Sequence, residues 1–393
     1  MNLVLKLIAG IAAGLMIGAF APDVIARIML TVQTMVGQLI SFTIPLIILL
    51  YIANGIGGLP RNSGKMLAHT VALAYGSTVI AGTLAFIFAS SVLPSLVSAH
   101  SIAESAAEAG LTSYINLKLV PVMEIMTALV LAFVLGIGMS AIQSKYLNYV
   151  IDEGRQIIDK LLAHIIIPLL PFYIAGVFTQ MTLEGSAVAT LKTFGVVLML
   201  AVAMHWFWLT CLYVLTGLVQ KKSPLTLLKN MLPAYFTALG TMSSAATIPV
   251  SLNSSKNNGV DSSIANFTVP LCATIHLSGS VITIVTCTTA VMLMTPELVT
   301  PSLGNIIPFI LMLGITLVAA PGAPGGAIMA ALGILASMLG FGEGAVALMI
   351  ALYLAQDSFG TACNVTGDGV IALWVDHWHG NGQTEAVNSP NAA

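Results

Sequence analysis

Two aspartates lie inside the last long apolar stretch of the 393-residue chain. Asp357, Thr361, Asn364 and Asp368 occupy relative positions i, i+4, i+7 and i+11, which form one face of an α-helix. Carboxylates inside a membrane segment are costly and usually mark the path of an ion or a polar solute. The stripe therefore predicts a path for an ion or a substrate. A structural polar seam between helices is the alternative.

Buried aspartate pairs also occur in intramembrane aspartyl proteases, where two carboxylates lie about 3 Å apart and share a proton. Asp357 and Asp368 are separated along one helix by about 16 Å at 1.5 Å per residue, so one helix cannot bring them together. A serine protease built on Ser243, Ser244 or Ser278 with His276 lacks a recognisable nucleophile loop. We therefore do not expect an enzyme.

The composition indicates a membrane protein. Hydrophobic residues make up 58% of the chain and charged residues 7%, whereas soluble domains carry about 25% charged residues. Apolar runs of about 20 residues recur, each long enough to cross a bilayer as a helix. They lack the alternating polarity of barrel strands, so helices are predicted. The first run is no more apolar than the rest and is interpreted as a helix rather than a signal peptide. The sequence has no basic stripe of the kind that binds nucleic acid, so no nucleic-acid partner is expected.

The apolar runs divide into eight membrane spans and two interrupted regions. We predict spans at residues 3–20, 27–57, 65–95, 112–144, 152–182, 187–219, 262–294 and 343–377. The interrupted regions are 224–255 and 303–339. Lysines and arginines occur in alternate connections, whereas the connections around Pro22, 98–110 and 183–186 have none. This asymmetry predicts a cytoplasmic N-terminus.

Each interrupted region has helix-breaking or polar residues at its centre, at 241–249 and 320–327. An exposed backbone at membrane depth is tolerated only inside protein or beside a watery cavity. The charge pattern places both ends of the first region in the cytoplasm and both ends of the second outside. We therefore predict two re-entrant hairpins. A hairpin plus a span, repeated in opposite orientation, is the inverted repeat of a transporter. Two kinked spans are the alternative.

Four segments resemble one family. Residues 364–368 (Asn-Val-Thr-Gly-Asp) resemble the last-helix motif of the dicarboxylate/amino acid:cation symporters, also called the sodium:dicarboxylate symporter family, which includes glutamate and neutral amino acid transporters. Residues 241–246 resemble its serine-rich first hairpin and 324–326 its second. Residues 273–280 fall where the family has an unwound seventh helix. The resemblance covers about residues 1–378.

The resemblance implies an all-α, multi-pass transporter of the elevator type that forms a homotrimer in the lipid of the inner membrane. A scaffold would comprise mainly residues 1–60 and 112–182. A moving transport domain would comprise mainly 65–95 and 187–378. Residues 380–393 form a polar tail outside this unit.

The resemblance also implies roles for individual residues. Asp357 would bind a substrate amino group, while Asn364, the first-hairpin serines and the second-hairpin amides would bind its carboxylate. Helix N-termini suit a carboxylate, and hard oxygen donors suit a hard cation such as sodium. The substrate-binding set is Ser243, Ser244, Ser280, Gly325, Asp357, Thr361 and Asn364. The cation-binding set is Cys272, Thr274, His276, Asn364 and Asp368, with Asp368 as the sodium carboxylate.

Some positions depart from the family pattern. Acidic-substrate members carry an arginine at the position of Gly360, and some carry one at the position of Met242, so no fixed cation is expected for a second carboxylate. Ser278 replaces a family carboxylate, which puts one sodium site in doubt. His276 is open to two interpretations, a proton-coupling group or a hydrogen-bonded structural residue.

We therefore expect a secondary active symporter that couples a small, neutral amino acid to sodium, with no other cofactor. Proton coupling is an alternative, and so is a dicarboxylate or acidic amino acid as substrate. An ion channel is the alternative from a different class, although hairpins entering from both faces favour alternating access.

Overall fold

The computed structural model describes residues 3–57, 64–97, 111–115, 118–318, 320 and 324–380. This part of the chain contains helices and no strand. The helices are α1 (Leu3–Phe20), α2 (Asp23–Gly57), α3 (Gly64–Leu96), α4 (Ile125–Ile142), α5 (Lys145–Leu161), α6 (Ile167–Leu183), α7 (Ala187–Gln220), α8 (Pro224–Thr241), α9 (Ser244–Asn257), α10 (Ser262–Ile275), α11 (Ser278–Met294), α12 (Leu303–Val318), α13 (Gly326–Leu339) and α14 (Glu343–His379). The connection 98–110, the hairpin centre 321–323 and the tail 381–393 lie outside the described residues.

Six helical ranges among the described residues are long and apolar enough to cross a membrane. They are Asp23–Asn54, Lys65–Leu96, Lys145–Leu183, Ala187–Gln220, Ser262–Met294 and Glu343–His379. Of the other two predicted spans, α1 and α4 have 18 residues each, or about 27 Å at 1.5 Å per residue. The fold is therefore that of an all-α, multi-pass membrane protein.

Two predicted boundaries are wrong. The fourth span starts at Ile125 rather than near residue 112, because Pro121 lacks an amide hydrogen and disfavours helix in the residue before it. The fifth starts at Lys145 rather than near 152, because the Ser144 hydroxyl caps it by accepting the amide of Leu147 at 3.2 Å. A π-helical turn, Leu162–Ile166, then joins α5 to α6 without a gap.

Glycines allow α1 to pack closely on α6. Gly10, Gly14 and Gly18 share one face of α1 at four-residue spacing. A Cβ atom at Gly10 or Gly14 would lie 2.4 Å from the carbonyl oxygen of Pro171 or Ala175. The two backbones therefore touch, and any side chain at these positions must push them apart.

The helices pack in two groups. In the first, α1 packs on α6, and α2 packs on α4, α5 and α6. In the second, α14 is surrounded by α7, α8, α9, α10 and α11, and α3 packs on α11. The packing of α13 and α12 on α2 provides much of the contact between the groups. The polar stripe of α14 thus lies at the centre of the second group.

Three elements of the second group are broken at membrane depth. The first hairpin turns between α8 and α9 at Met242, whose φ is +52°. The second turns before α13, where Gly325 has a φ of +77°, a conformation that glycine adopts readily. The seventh span is interrupted by His276 and Leu277 between α10 and α11. All three breaks lie where the sequence predicts them.

We predict that Gly14→Ala lowers the thermal unfolding midpoint of the purified protein in detergent. Its Cβ would overlap the Ala175 carbonyl, and overpacking of this kind typically costs about 1–3 kcal/mol. Gly195→Ala is the matched control, because nothing lies within 4 Å of a Cβ at that position of α7. An unchanged midpoint for Gly14→Ala would contradict the close α1–α6 contact.

Candidate functional site

A small cavity lies where the two hairpin tips, the α10–α11 break and the middle of α14 meet. Its volume is about 50 Å³. Six predicted site residues line it: Ser244, Thr274, Ser280, Asp357, Thr361 and Asn364. The other lining residues are Met242, Ala273, Leu277, Ala320, Ala327 and Tyr353. Thr274, predicted for the cation set, therefore lies at this cavity, whereas Cys272, His276 and Asp368 are not among its described lining residues.

Asp357 is the carboxylate of the cavity. Its side chain is almost completely buried, with 5% exposed. One carboxylate oxygen, Oδ2, accepts the amide hydrogen of Gly325 at 2.7 Å. This amide was expected to meet a substrate carboxylate, but here it binds Asp357. The tip of the second hairpin is therefore tied directly to the group predicted to hold an amino group.

Asn364 holds the start of α11 in place. Its Oδ1 accepts the amide hydrogens of Gly279 at 2.7 Å and Ser280 at 3.1 Å. Its Nδ2 donates to the hydroxyl of Ser280 at 2.9 Å. A Cβ at Gly279 would lie 2.3 Å from the carbonyl oxygen of Gly360, so α11 and α14 touch through their backbones. The Asn364 side chain thus caps the broken helix and positions Ser280 at the cavity.

The cavity receives the N-termini of two hairpin helices. Ser243 caps α9 by accepting the amide of Ala246 at 3.3 Å, and the next residue, Ser244, lines the cavity. Helix α13 begins immediately after Gly325, and its residue Ala327 also lines the cavity. Helix N-termini carry partial positive charge and unpaired amide hydrogens. The cavity therefore presents one carboxylate and two helix ends that suit an anion.

A second buried cluster surrounds Asp368. His276 Nδ1 lies 2.9 Å from Asp368 Oδ1, and its Nε2 lies 2.9 Å from the hydroxyl of Ser77 on α3. An ionised carboxylate only accepts hydrogen bonds, so Nδ1 is assigned the hydrogen in this pair. Asp368 is 1% exposed and His276 is fully buried. One hydrogen-bonded chain thus links α3, the α10–α11 break and α14.

The oxygen donors around Asp368 fit a hard cation. His276 uses one carboxylate oxygen of Asp368, which leaves the other available. The carbonyl of Cys272 accepts the His276 amide at 2.8 Å and keeps a second lone pair. The carbonyl of His276 accepts no hydrogen bond from the described residues, although the residue is fully buried. Carboxylate and carbonyl oxygens of this kind suit sodium.

None of the described residues lining the cavity is a lysine or an arginine. A Cβ at Gly360 would meet the hydroxyl of Thr283 at 3.1 Å. Behind Thr283 lies His205, whose Nε2 is 3.0 Å from that hydroxyl and from the carbonyl of Gly279. His205 and His276 are therefore committed to other partners, and neither is among the described residues that line the cavity.

Three contributing residues were missed from the sequence. Tyr353 precedes Asp357 by four residues, so extending the polar stripe by one turn finds it. Ser77 contacts His276, and the hydroxyl of Thr78 accepts the amide of Leu277 at 3.3 Å. Ser77 and Thr78 lie in an apolar helix without a motif, and only the packing of α3 on α11 brings them to the site.

The sodium:dicarboxylate symporter family model matches residues 3–378. A serine/threonine transporter of Streptococcus suis is 29% identical over 297 residues, which cover 72% of this chain and 81% of the relative. Excitatory amino acid transporter 1 of Mus musculus is 29% identical over 245 residues, 61% of this chain and 44% of the relative. A serine/threonine transporter of Acinetobacter baylyi is 30% identical over 239 residues, 58% of this chain and 57% of the relative. The matches thus span less than two thirds of the mouse and Acinetobacter proteins.

Proposed function

The chain belongs to the sodium:dicarboxylate symporter family, and we propose that it carries a small neutral amino acid, such as serine, threonine or alanine, by symport with sodium. The observation that carries the proposal is the charge content of the cavity, whose described lining has one carboxylate, two helix N-termini and no lysine or arginine. This set matches an amino group and one carboxylate.

A zwitterionic amino acid pairs with each feature of the site. Its ammonium group meets Asp357, whose burial leaves it in need of a counter-charge. Its carboxylate meets the N-termini of α9 and α13, with the hydroxyls of Ser244 and Thr361 lining the same cavity. A cavity of about 50 Å³ has room for roughly three to five water molecules, at about 10–15 Å³ for each. This size suits a solute of few heavy atoms.

A second carboxylate on the substrate finds no cation in this wall. Burying an unpaired carboxylate costs several kcal/mol even after relaxation, and about 3 kcal/mol corresponds to roughly a hundredfold in affinity. The names of two relatives as serine/threonine transporters support a neutral substrate. Other relatives are named excitatory amino acid transporters, so an acidic amino acid is the alternative that an experiment must exclude.

We assign sodium as the coupling ion because the family is one of sodium symporters and the donors around Asp368 are hard oxygens. The ion would be held by the Asp368 carboxylate and by the carbonyls of Cys272, His276 and Asn364. Its positive charge would offset the buried Asp368 charge. Binding of the ion would thereby stabilise the packing of the α10–α11 break against α14.

The same proposal extends to assembly and movement. The protein would act as a homotrimer in the inner membrane with a cytoplasmic N-terminus, which the alternation of basic and uncharged connections supports. Residues 1–60 and 112–182 would form the scaffold, and residues 65–95 and 187–378 the moving domain. The separation of the packing into two helix groups supports this division.

Competition assays test the substrate class. In proteoliposomes with an inward sodium gradient, unlabelled serine, alanine or threonine should displace radiolabelled serine roughly a hundredfold better than glutamate or succinate does, because only the latter bury an unpaired carboxylate. A parallel series with only a proton gradient identifies the coupling ion. Better displacement by glutamate or succinate would show that the neutral-substrate assignment is wrong.

Asp357→Asn should abolish serine uptake while leaving the protein folded. The amide oxygen of asparagine can still accept the Gly325 amide hydrogen, so the variant removes the charge and keeps the hairpin contact. Asp376→Asn, at the cytoplasmic end of the same helix, is the control and should transport normally. Serine affinity in Asp357→Asn equal to that of the wild type would rule out the assigned role.

Asp368→Asn should raise the sodium concentration needed for half-maximal serine binding at least tenfold, because a neutral amide replaces the cation's carboxylate. Asparagine can still accept the His276 hydrogen, so the local packing is preserved. Serine affinity at saturating sodium should fall much less. If the variant keeps the wild-type dependence on both sodium and pH, Asp368 does not bind the coupling ion.

A further inference from the structure

A second, larger cavity lies between the two helix groups. Its volume is about 440 Å³, within the range of small-molecule sites. Helices α2 and α6 form one side, α13 and the start of α14 form the other, and residues 121–124 close one end. None of its lining residues lines the small cavity at Asp357.

The walls of this cavity are mostly apolar. Ile40, Ile44 and Pro45 of α2 face Phe341 and Val346 across it. Polar groups are few, and two of them lack partners. The Oγ of Ser337 is buried without a hydrogen bond, and the Tyr173 hydroxyl makes none with the described residues. An apolar space with a few polar groups is the usual form of a site for an organic molecule.

Both charged groups lining the cavity are carboxylates. Glu124 lies at the start of α4, but its side chain does not cap that helix and makes no hydrogen bond with the described residues. Glu343, at the start of α14, accepts one bond, from the Gln38 amide at 3.0 Å. No lysine or arginine is among the described residues that line it. Both carboxylates are exposed to solvent, so they give the cavity a negatively charged mouth.

We propose that this cavity is a binding site for an organic ammonium ion with a compact apolar body. The ammonium group pairs with Glu124 and Glu343, and the body fills the apolar space between α2 and α14. A neutral hydrocarbon would gain nothing from the two carboxylates, and a zwitterionic amino acid would place its own carboxylate beside them. The charge pattern thus selects a cation.

Such a ligand contacts both helix groups at once. Its site spans α2 and α6 on one side and α13 and α14 on the other, where the Gln38–Glu343 hydrogen bond also crosses. A bound cation therefore holds α13 and α14 against α2. We expect it to slow serine uptake without displacing serine from the small cavity.

Direct binding tests the site. Tritiated adamantylamine, a rigid cage amine, is titrated onto the full-length protein in lipid nanodiscs, with empty nanodiscs as background and adamantanol as the uncharged competitor. We expect saturable binding that serine does not displace, and competition by adamantanol at least tenfold weaker than by unlabelled amine, because it lacks the charge-assisted hydrogen bond.

Variants locate the site. Replacing both carboxylates, by Glu124→Gln and Glu343→Gln, should weaken amine binding at least tenfold. The matched pair Glu153→Gln and Asp376→Asn, outside the cavity, should leave it unchanged. Ala336→Phe fills the cavity and should exclude both amine and alcohol, with retained serine binding showing that the protein is folded.

Three results would overturn the proposal. They are the absence of saturable amine binding, unchanged binding in the double glutamine variant, and displacement of the amine by serine together with its loss in Asp357→Asn. The last would place the amine in the small cavity. The assay reads amine binding and needs no assumption about the transported solute, so its failure leaves the proposed symport untouched.

Discussion

A carboxylate buried within a membrane protein needs a hydrogen-bond donor or a counter-charge, and α14 contains two such carboxylates. Asp357 accepts a hydrogen bond from a backbone amide of the second hairpin, and Asp368 accepts one from the His276 imidazole at the seventh-span break. Continuous helices have no spare amides at mid-depth, because each is bonded to a carbonyl of its own helix. The break in the second hairpin is therefore required by Asp357 as much as by any ligand.

The breaks create three helix N-termini near the stripe, and these ends are not equivalent. The end of α11 is already satisfied, because Asn364 accepts the amides of Gly279 and Ser280. The ends of α9 and α13 face the cavity. In the proposed site the anionic group of the ligand would therefore bind at the hairpins, while Asn364 holds the start of α11 in place.

Much of this arrangement can be predicted from the sequence, because charge is expensive in a membrane and leaves clear signals. The i, i+4, i+7, i+11 stripe and the three breaks are correctly placed. The starts of the fourth and fifth spans, which depend on Pro121 and on the Ser144 cap, are not predicted correctly. Contacts between distant helices also escape a single sequence. Nothing along α3 marks Ser77 as the partner of His276, since one serine in an apolar helix has many possible neighbours.

The Asp357–Gly325 bond links occupancy of the proposed site to the second hairpin. In this structure the hairpin amide uses one oxygen of the carboxylate, Oδ2, which leaves Oδ1 for an ammonium group. A ligand with only a carboxylate would compete for the amide and take that donor from Asp357, and a buried polar group left without a partner costs about 1–3 kcal/mol or more. In the proposed complex a zwitterion avoids this cost, because its ammonium group supplies the counter-charge at Asp357 while its carboxylate accepts hydrogens at the helix N-termini. The proposed site therefore favours α-amino acids over simple acids.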